Sequence, residues 1–160
     1  MAPLVGAILR YNRSMTTPQQ TRSSKDNQLP SNFRVSIKVL VRGERGTILM
    51  VQEGGEAWGI PGGGLNHGET IEQGLRREVR EELGVEVGKV PALPILAETY
   101  YYEAFNRWRL WLLFEVSLEG APMVGRDSQA VGWFGKDQLS GLPLDQTEDV
   151  AVKDVFIRFL

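Results

Sequence analysis

The stretch from Gly63 to Val85, GGLNHGETIEQGLRREVREELGV, organises the rest of the chain. Thr70 is a good N-cap residue, and Gln73 three positions later completes a capping box. Gly84 is a natural C-terminal stop, because glycine adopts the left-handed conformation that ends many helices. The sequence therefore predicts a helix over residues 71–83.

Three glutamates share one face of this helix. Successive side chains turn by about 100° around a helix axis, so Glu78, Glu81 and Glu82 lie close together. Glu82 falls on the side that should pack against the domain, beside an apolar stripe of Ile71, Leu75, Val79 and Leu83. A carboxylate turned towards a core is costly unless it is paired or bound to a metal ion.

Two interpretations of the acidic face are open. An E-x-x-E-E run is commonly a solvated face, here with Arg77 and Arg80 as partners. The alternative is a site for a hard divalent cation, Mg²⁺ or Mn²⁺, since such ions prefer carboxylate and carbonyl oxygens. The preceding Gly62, Gly63 and Gly64 favour the cation site, because glycines let the backbone approach a ligand closely.

The stretch resembles the Nudix box of the MutT/Nudix hydrolase family, G-x5-E-x7-R-E-U-x-E-E-x-G-U, where U is an aliphatic residue. Every fixed position is met, at Gly63, Glu69, Arg77, Glu78, Val79, Glu81, Glu82, Gly84 and Val85. The segment just before the box, Trp58 to Gly62, is also similar to the family's pattern. The resemblance implies a hydrolase that depends on Mg²⁺ or Mn²⁺.

The resemblance also implies roles for the residues of the box. The expected metal-binding set is Gly62 through its carbonyl, Glu78, Glu81 and Glu82. Glu82 would be the most central ligand, and Glu81 would be a ligand or would position water. Arg77 would pair with Glu69 and orient the catalytic helix rather than react.

The general base varies across this family between a box glutamate and a carboxylate on a later loop. Asp127 lies in a predicted loop six residues before Trp133, similar to the position of that later carboxylate. We therefore name Asp127 as a candidate catalytic residue, with an ordinary turn residue as the alternative. Glu98 and Glu115 are competitors, but each sits inside an apparent strand, so we expect both to face solvent.

Four residues are candidates for substrate binding: Trp58, Arg34, Tyr101 and Arg109. Trp58 precedes the glycine-rich loop and would either stack on a nucleobase or pack in the core. Tyr101 is the middle of three tyrosines, of which at least one should face outwards, and a tyrosine in this region resembles the mark of dinucleoside polyphosphate hydrolases. Arg34 and Arg109, with Arg107, are candidates for phosphate contacts.

Composition narrows the class of protein. The chain has 160 residues, a net charge of −2 and no cysteine, so thiol catalysis and thiolate metal sites are excluded. The acidic balance gives no support to a nucleic-acid polymer as partner. No apolar run approaches the ~18 residues of a membrane span, and the start MAPLVGAILR lacks the basic residue of a secretory signal. We therefore expect a cytoplasmic protein without a membrane partner.

The chain divides into a polar arm or linker at residues 1–32, with a short edge strand as an option for its start, and a domain at residues 33–160. Apolar patterns predict strands at residues 33–42, 47–52 and 130–134, and a hairpin of residues 95–105 and 107–118 around Asn106. A helical turn follows at residues 136–139, and a last helix begins at Leu144 or Asp145. This order predicts a mixed α/β (α+β) domain, and it is similar to the Nudix fold, an α/β/α sandwich around a mixed sheet.

The sequence thus indicates a Mg²⁺- or Mn²⁺-dependent hydrolase that cleaves a nucleoside diphosphate linked to another group. The candidate substrates are nucleoside triphosphates, dinucleoside polyphosphates, ADP-ribose and other nucleotide sugars. A sensor that binds nucleotides without hydrolysis is the second class, although sensors of this type often lose box glutamates and none is lost here. An isomerase of the isopentenyl diphosphate type resembles chemistry that uses a cysteine, which this chain lacks. The expected oligomeric state is open between a monomer and a homodimer.

Overall fold

The computed structural model describes residues 33–102, 105–144 and 149–160, so the predicted arm at residues 1–32 lies outside the described residues. The strands are β1 (Phe33–Leu40), β2 (Ile48–Gln52), β3 (Glu86–Val87), β4 (Leu96–Tyr102), β5 (Arg107–Glu115), β6 (Leu118–Glu119) and β7 (Ala130–Phe134). The two α-helices are α1 (Ile71–Leu83) and α2 (Asp149–Phe159), and short 3₁₀ turns occupy Glu44–Gly46 and Lys136–Gly141.

The main sheet has the strand order β1-β5-β4. β1 pairs with β5 in parallel, and β5 pairs with β4 in an antiparallel hairpin, so the sheet is mixed as expected. Asn106 forms the turn of the hairpin with a φ of 47°, a conformation that asparagine tolerates. β2 pairs with β7, and the short β3 pairs with β6, a pair that the apolar pattern did not predict.

Two apolar clusters show that helices cover both faces of the sheet. Alternate residues of a strand point to opposite faces, so neighbours such as Val39 and Leu40 join different clusters. The first cluster contains Leu75, Val79 and Leu83 of α1, and the second contains Val152, Val155 and Phe156 of α2. The fold is therefore the α/β/α sandwich that the family resemblance implied.

Helix α1 has the predicted bounds. Thr70 and Gln73 form both hydrogen bonds of the capping box, and Gly84 ends the helix with a φ of 63°. Leu75 and the two later members of the apolar stripe are fully buried. Ile71 was expected in the same stripe, but 36% of its surface is exposed. Helical side chains lean towards the N-terminus, so the first residue of the helix points beyond the packed turns.

One expectation about the strands is wrong. Glu98 does not face solvent, because it lies on the α2 side of β4 and only 7% of its surface is exposed. Arg158 of α2 donates a hydrogen bond to its Oε1 at 3.1 Å, and this ion pair makes the burial tolerable. Glu115 does face solvent, where it pairs with Arg42 at 2.9 Å.

The ends of other elements differ slightly from the predictions. β1 stops at Leu40, two residues before Arg42, and the helical turn at 136 extends to Gly141. The predicted start of the last helix partly falls on residues 145–148, outside the described residues, and α2 is described from Asp149. Neither helix of the described chain is long and apolar enough to cross a membrane.

Candidate active site

The glycine-rich loop lies directly against two glutamates of α1. The Gly62 N–H donates a hydrogen bond to Glu82 Oε2 at 2.8 Å. A Cβ on Gly63 would lie only 2.7 Å from Glu78 Oε1, so any other residue here would displace that carboxylate. Gly62 has a φ of 114°, which a side chain would make strained. We call these four residues, Gly62, Gly63, Glu78 and Glu82, the carboxylate end of the site.

Strand β1 fixes the position of this loop. The carbonyls of Pro61 and Gly63 accept hydrogen bonds from the N–H groups of Val39 and Ile37, each at 2.9 Å. A Cβ on Gly62 would lie 2.9 Å from the Cα of Lys38, so the loop backbone is in close contact with the strand. The loop and the helix are therefore held in register by backbone contacts rather than by mobile side chains.

The two carboxylates are buried to an unusual degree. Only 3% of Glu82 and 9% of Glu78 is exposed. Burial raises the pKa of both side chains above the ordinary value of a glutamate, while the Arg77 guanidinium opposes this shift at Glu78 and the Lys38 cation opposes it at Glu82. For these two residues the interpretation as a solvated acidic face is wrong. The fold instead removes both carboxylates from water, where their charged forms are costly.

Arg77 organises the acidic side chains that lie nearer the surface. Its Nε donates to Glu69 Oε1 at 2.6 Å, and its Nη1 donates to Glu78 Oε1 at 2.8 Å and to Glu81 Oε2 at 3.1 Å. The predicted pair of Arg77 and Glu69 is thus present, and it lowers the pKa of Glu69 to about 2. Arg80 does not join this network, because it pairs with Glu86.

The donors at the carboxylate end fit a hard divalent cation in their chemistry, because all of them are oxygens and their charge is incompletely balanced. Among the residues that the structure describes, however, no three acidic or histidine side chains are grouped closely enough to hold a metal ion as they stand. Glu81 is turned away by ion pairs with Arg77 and Arg126. Glu78 or Glu81 would therefore have to release an arginine partner before it could bind a cation.

A cavity of about 370 Å³ opens beside the glycine-rich loop. Its lining is polar, with four cations and one carboxylate among the side chains, and consists of Arg34, Ser36, Lys38, Val51, Glu53, Gly54, Ala57, Gly59, Gly62, Gly63, Gly64, Tyr102, Arg107 and Arg109. We refer to this cavity as the cleft. The end of the cleft formed by Arg34, Arg107, Arg109 and Tyr102 is called the arginine end.

Two of the four candidates for substrate binding line the cleft. Arg34 and Arg109 are there, whereas Trp58 and Tyr101 are not. Trp58 packs edge-on against Phe134, with ring centroids 4.5 Å apart, in the cluster beneath α2. Tyr101 contacts Trp108 on the other face of the sheet, with centroids 5.5 Å apart, because adjacent residues of a strand point in opposite directions.

Asp127 lies on a loop that covers the C-terminal end of α1. Its N–H donates to the carbonyl of Glu81 at 3.0 Å, and its carboxylate lies 3.4 Å from Arg126 Nε. Ser128 strengthens the same attachment, since its Oγ donates to the carbonyl of Glu82 at 2.7 Å. The side chain of Asp127 is exposed and lies outside the lining of the cleft.

Three charged or aromatic residues of the lining were not candidates from the sequence: Lys38, Glu53 and Tyr102. Lys38 follows a signal that was available, because Arg34, Ser36 and Lys38 alternate with apolar residues along β1 and must share one face. Glu53 had no such signal, since it is one of two glutamates in a short polar loop. Tyr102 lines the cleft in place of the predicted Tyr101, because adjacent residues of β4 point to opposite faces of the sheet.

The chain is similar to known proteins of one family. The sequence model of the NUDIX domain matches residues 32–156. The nucleoside triphosphatase NudI of an Enterobacter species is 30% identical over 97 residues, which are 56% of this chain and 69% of the relative. The RNA pyrophosphohydrolase of Pseudomonas paraeruginosa is 40% identical over 62 residues, but the match covers only 38% of this chain and 39% of that protein.

A solved structure shows the same fold. The MutT NUDIX hydrolase of Burkholderia pseudomallei matches with a TM-score of 0.61 and 25% identity, over 78% of this chain and 99% of that protein. The family match spans the glycine-rich loop, the carboxylates of α1 and the strands that line the cleft. Together with the complete box, these findings show that the chain belongs to the Nudix hydrolase family.

Proposed function

We propose that the protein is a divalent-metal-dependent hydrolase that cleaves the phosphoanhydride bond of a nucleoside diphosphate linked to another group. The observation that carries this proposal is the position of Glu78 and Glu82. Both are buried directly against the backbone of Gly62 and Gly63, at the edge of a cleft whose side chains are mostly cationic. An anionic phosphate chain and a divalent cation are the partners that such an arrangement favours.

The metal would be held by carboxylate oxygens of Glu78 and Glu82 and by the carbonyl of Gly62, with Glu81 available as a further ligand or as a residue that positions water. Mg²⁺ is the expected ion and Mn²⁺ the alternative. When bound, such an ion neutralises phosphate charge and makes water a better nucleophile. Metal binding would also remove the energetic cost of two buried, mutually repelling carboxylates.

The chain's own residues would position the substrate. Lys38 lies next to the loop backbone and lines the cleft, where it would contact the phosphates beside the carboxylate end. Arg77 would hold Glu78 and Glu81 at fixed distances from the loop, since its guanidinium spans both carboxylates. Its role is positioning, because its donors are occupied by glutamates.

The proton from the attacking water needs a carboxylate that is accessible and ionised. Asp127 remains our candidate from the sequence, and its exposure beside Glu81 is compatible with that role. Glu53 is a second candidate, because it lines the cleft and its charge contributes to raising the pKa of Glu82.

The names of the relatives indicate the class of substrate to test first. A nucleoside triphosphate is the first choice, since NudI is named a nucleoside triphosphatase and matches over most of its length. An RNA pyrophosphate is the second, because the other relative is named an RNA pyrophosphohydrolase, although that match is shorter and the net charge of −2 does not favour a nucleic-acid polymer. Dinucleoside polyphosphates and nucleotide sugars belong in the same test because they share the diphosphate linkage.

The test is product release from a panel of these nucleotides with Mg²⁺ and with Mn²⁺, for the wild type and for Glu82→Gln. We expect hydrolysis to fall by about a hundredfold or more in this variant. Glu72→Gln is the matched control, since Glu72 is an exposed residue of the same helix and pairs with Arg76. Full activity of Glu82→Gln would contradict the proposal.

A nucleotide sensor without catalysis is the remaining alternative. Such a protein would bind members of the panel but release no product with either ion. The complete set of box glutamates favours the enzyme.

A further inference from the structure

A loop after β6, residues 123–128, closes the C-terminal end of α1, and we call it the capping loop. The last carbonyls of a helix have no donor within the helix, so they need partners from elsewhere. Here three of them accept hydrogen bonds from alternate residues of the loop. The N–H groups of Met123, Gly125 and Asp127 donate to the carbonyls of Leu83, Glu82 and Glu81 at 2.9, 3.0 and 3.0 Å. The capping loop is therefore fixed to the turn of α1 that carries two of the box glutamates.

The glycine at position 125 makes this attachment close. A Cβ on Gly125 would lie 2.2 Å from the carbonyl oxygen of Glu81, so a side chain here would push the loop away from the helix. Ser128 adds a hydrogen bond from its Oγ to the carbonyl of Glu82 at 2.7 Å. The side chains of the capping loop therefore start from a fixed place beside the carboxylates of α1.

Arg126 of the capping loop pairs with the carboxylate of Glu81. Its Nη2 donates to Oε1 of Glu81, while Arg77 Nη1 donates to Oε2 at 3.1 Å. Each oxygen of this carboxylate is therefore bound by a guanidinium group. Only 18% of the Glu81 side chain is exposed, so its pairs are partly shielded from water.

The two arginines differ in how firmly they are held. Arg77 also binds Glu69 and Glu78, at 2.6 and 2.8 Å, and its side chain is largely buried. The Arg126 side chain is 71% exposed, and its other ion pair among the described residues is a 3.4 Å contact with its neighbour Asp127. Arg126 is therefore the partner that Glu81 can release at the lower cost, because an exposed guanidinium group loses little when its ion pair breaks.

We propose that Arg126 is a positioning residue that competes with a divalent cation for Glu81, and so sets how tightly this carboxylate binds the ion. The inference rests on the proposed function for the presence of the cation. A cation and a guanidinium group need the same carboxylate oxygens, so each weakens the binding of the other. Glu82 accepts its hydrogen bond from the Gly62 N–H instead, so a cation held without Glu81 should not depend on Arg126.

The experiment measures binding of Mn²⁺ to the full chain without nucleotide, by electron paramagnetic resonance of the free ion. Arg126→Gln should bind Mn²⁺ about fivefold more tightly than the wild type, as expected for the loss of one competing ion pair. Arg126→Lys should lie between the two, because lysine keeps the charge and loses the planar fork. Equal affinities of the wild type and Arg126→Gln would overturn the inference.

Two further proteins separate competition for Glu81 from a general change of charge. Arg80→Gln removes one positive charge from the same helix, and it should change the affinity much less, because Arg80 pairs with Glu86. In a Glu81→Gln background, Arg126→Gln should leave the affinity for Mn²⁺ unchanged, since the shared carboxylate is gone. A fivefold gain in that background as well would show that Arg126 does not act through Glu81, and would overturn the inference.

Hydrolysis of the nucleotide panel with Mg²⁺ distinguishes this inference from the proposed function. Binding of Mn²⁺ and hydrolysis without any dependence of affinity on Arg126 would contradict the competition alone. An affinity for Mn²⁺ that depends on Arg126, without hydrolysis of any nucleotide, would contradict the proposed function instead. Failure of every protein to bind Mn²⁺ would contradict both.

Discussion

The two ends of the cleft are built in opposite ways. At the carboxylate end, two glutamates of one helix are buried against a loop of glycines, and burial raises the pKa of both. At the arginine end, three arginines of β1 and β5 line the cleft together with Tyr102. The first end is built from carboxylates and the second from guanidinium groups, although both lie beside the same strand, β1.

The carboxylates of the first end are partly balanced by cations from two elements. Arg77 of α1 pairs with Glu78 at 2.8 Å, and Lys38 of β1 acts on Glu82. The guanidinium groups of the second end line the cleft, where a ligand can reach them. A phosphate chain with its metal ion is complementary to this arrangement of carboxylates and guanidinium groups.

The largest expected effect concerns the proton acceptor near the carboxylate end. If Glu53 is the general base, Glu53→Gln should lower kcat by about a hundredfold, whereas Asp127→Asn should change it much less. The reverse order would assign the base to Asp127 and extend the carboxylate end to the loop over α1. Rate measurements with Mg²⁺ across pH decide between them, because only loss of the base removes the acidic limb of the profile.

The second prediction concerns a divalent cation bound at the same end. Mg²⁺ or Mn²⁺ at a hundred times its dissociation constant should raise the free energy of unfolding by about 2.7 kcal/mol. Thermal unfolding with and without the ion measures this effect. Glu82→Gln should abolish the gain, because the buried carboxylate is lost, while Glu72→Gln should retain it. Equal stabilisation of all three proteins would place the ion elsewhere.

A smaller effect tests how the carboxylates are positioned. Arg77→Ala should lower kcat about tenfold and destabilise the fold by about 1 kcal/mol, because Glu69, Glu78 and Glu81 lose a shared partner. Arg77→Lys should recover only part of the rate, since lysine cannot bridge several carboxylates with a planar fork. Arg80→Ala is the control, because its exposed pair with Glu86 should contribute little.

The smallest expected effect is a dependence of the free energy of unfolding on pH. Arg77 lowers the pKa of Glu69 from 4.5 to about 2. A depressed pKa stabilises the folded state above the unfolded value of 4.5, and this contribution disappears as the pH falls through about 2. Denaturation of the wild type and Glu69→Gln should therefore differ at pH 6 and converge near pH 2. A constant difference over this range would show that the carboxylate's charge is irrelevant.

Much of the carboxylate end could be predicted because its residues are close together in the chain. The capping box, the stop at Gly84 and the face shared by the glutamates follow from the geometry of a single helix. The pairing of Arg77 with Glu69 was expected from the resemblance and needs only the loop that enters the same helix. Local rules are reliable here because few long-range contacts intervene.

The arginine end was only partly predictable. Arg34 and Arg109 were candidates, but their direct pairing requires β1 to lie parallel beside β5, about 75 residues away, and nothing local specifies that register. Tyr101 was chosen although Tyr102 lines the cleft, because the alternation of β4 does not reveal which face meets the cavity. For the same reason Glu98 was expected at the surface and lies buried against Arg158.

By itself, the sequence determined the helix, its acidic face, the glycine-rich loop and the family to which they belong. Those features depend on interactions over a few residues, which any chain with this pattern would form. Only the tertiary structure decided that Glu78 and Glu82 lie buried behind the loop, and that three arginines face a common cleft. Burial and convergence depend on which strands pair and which faces pack, and these are properties of the whole folded chain.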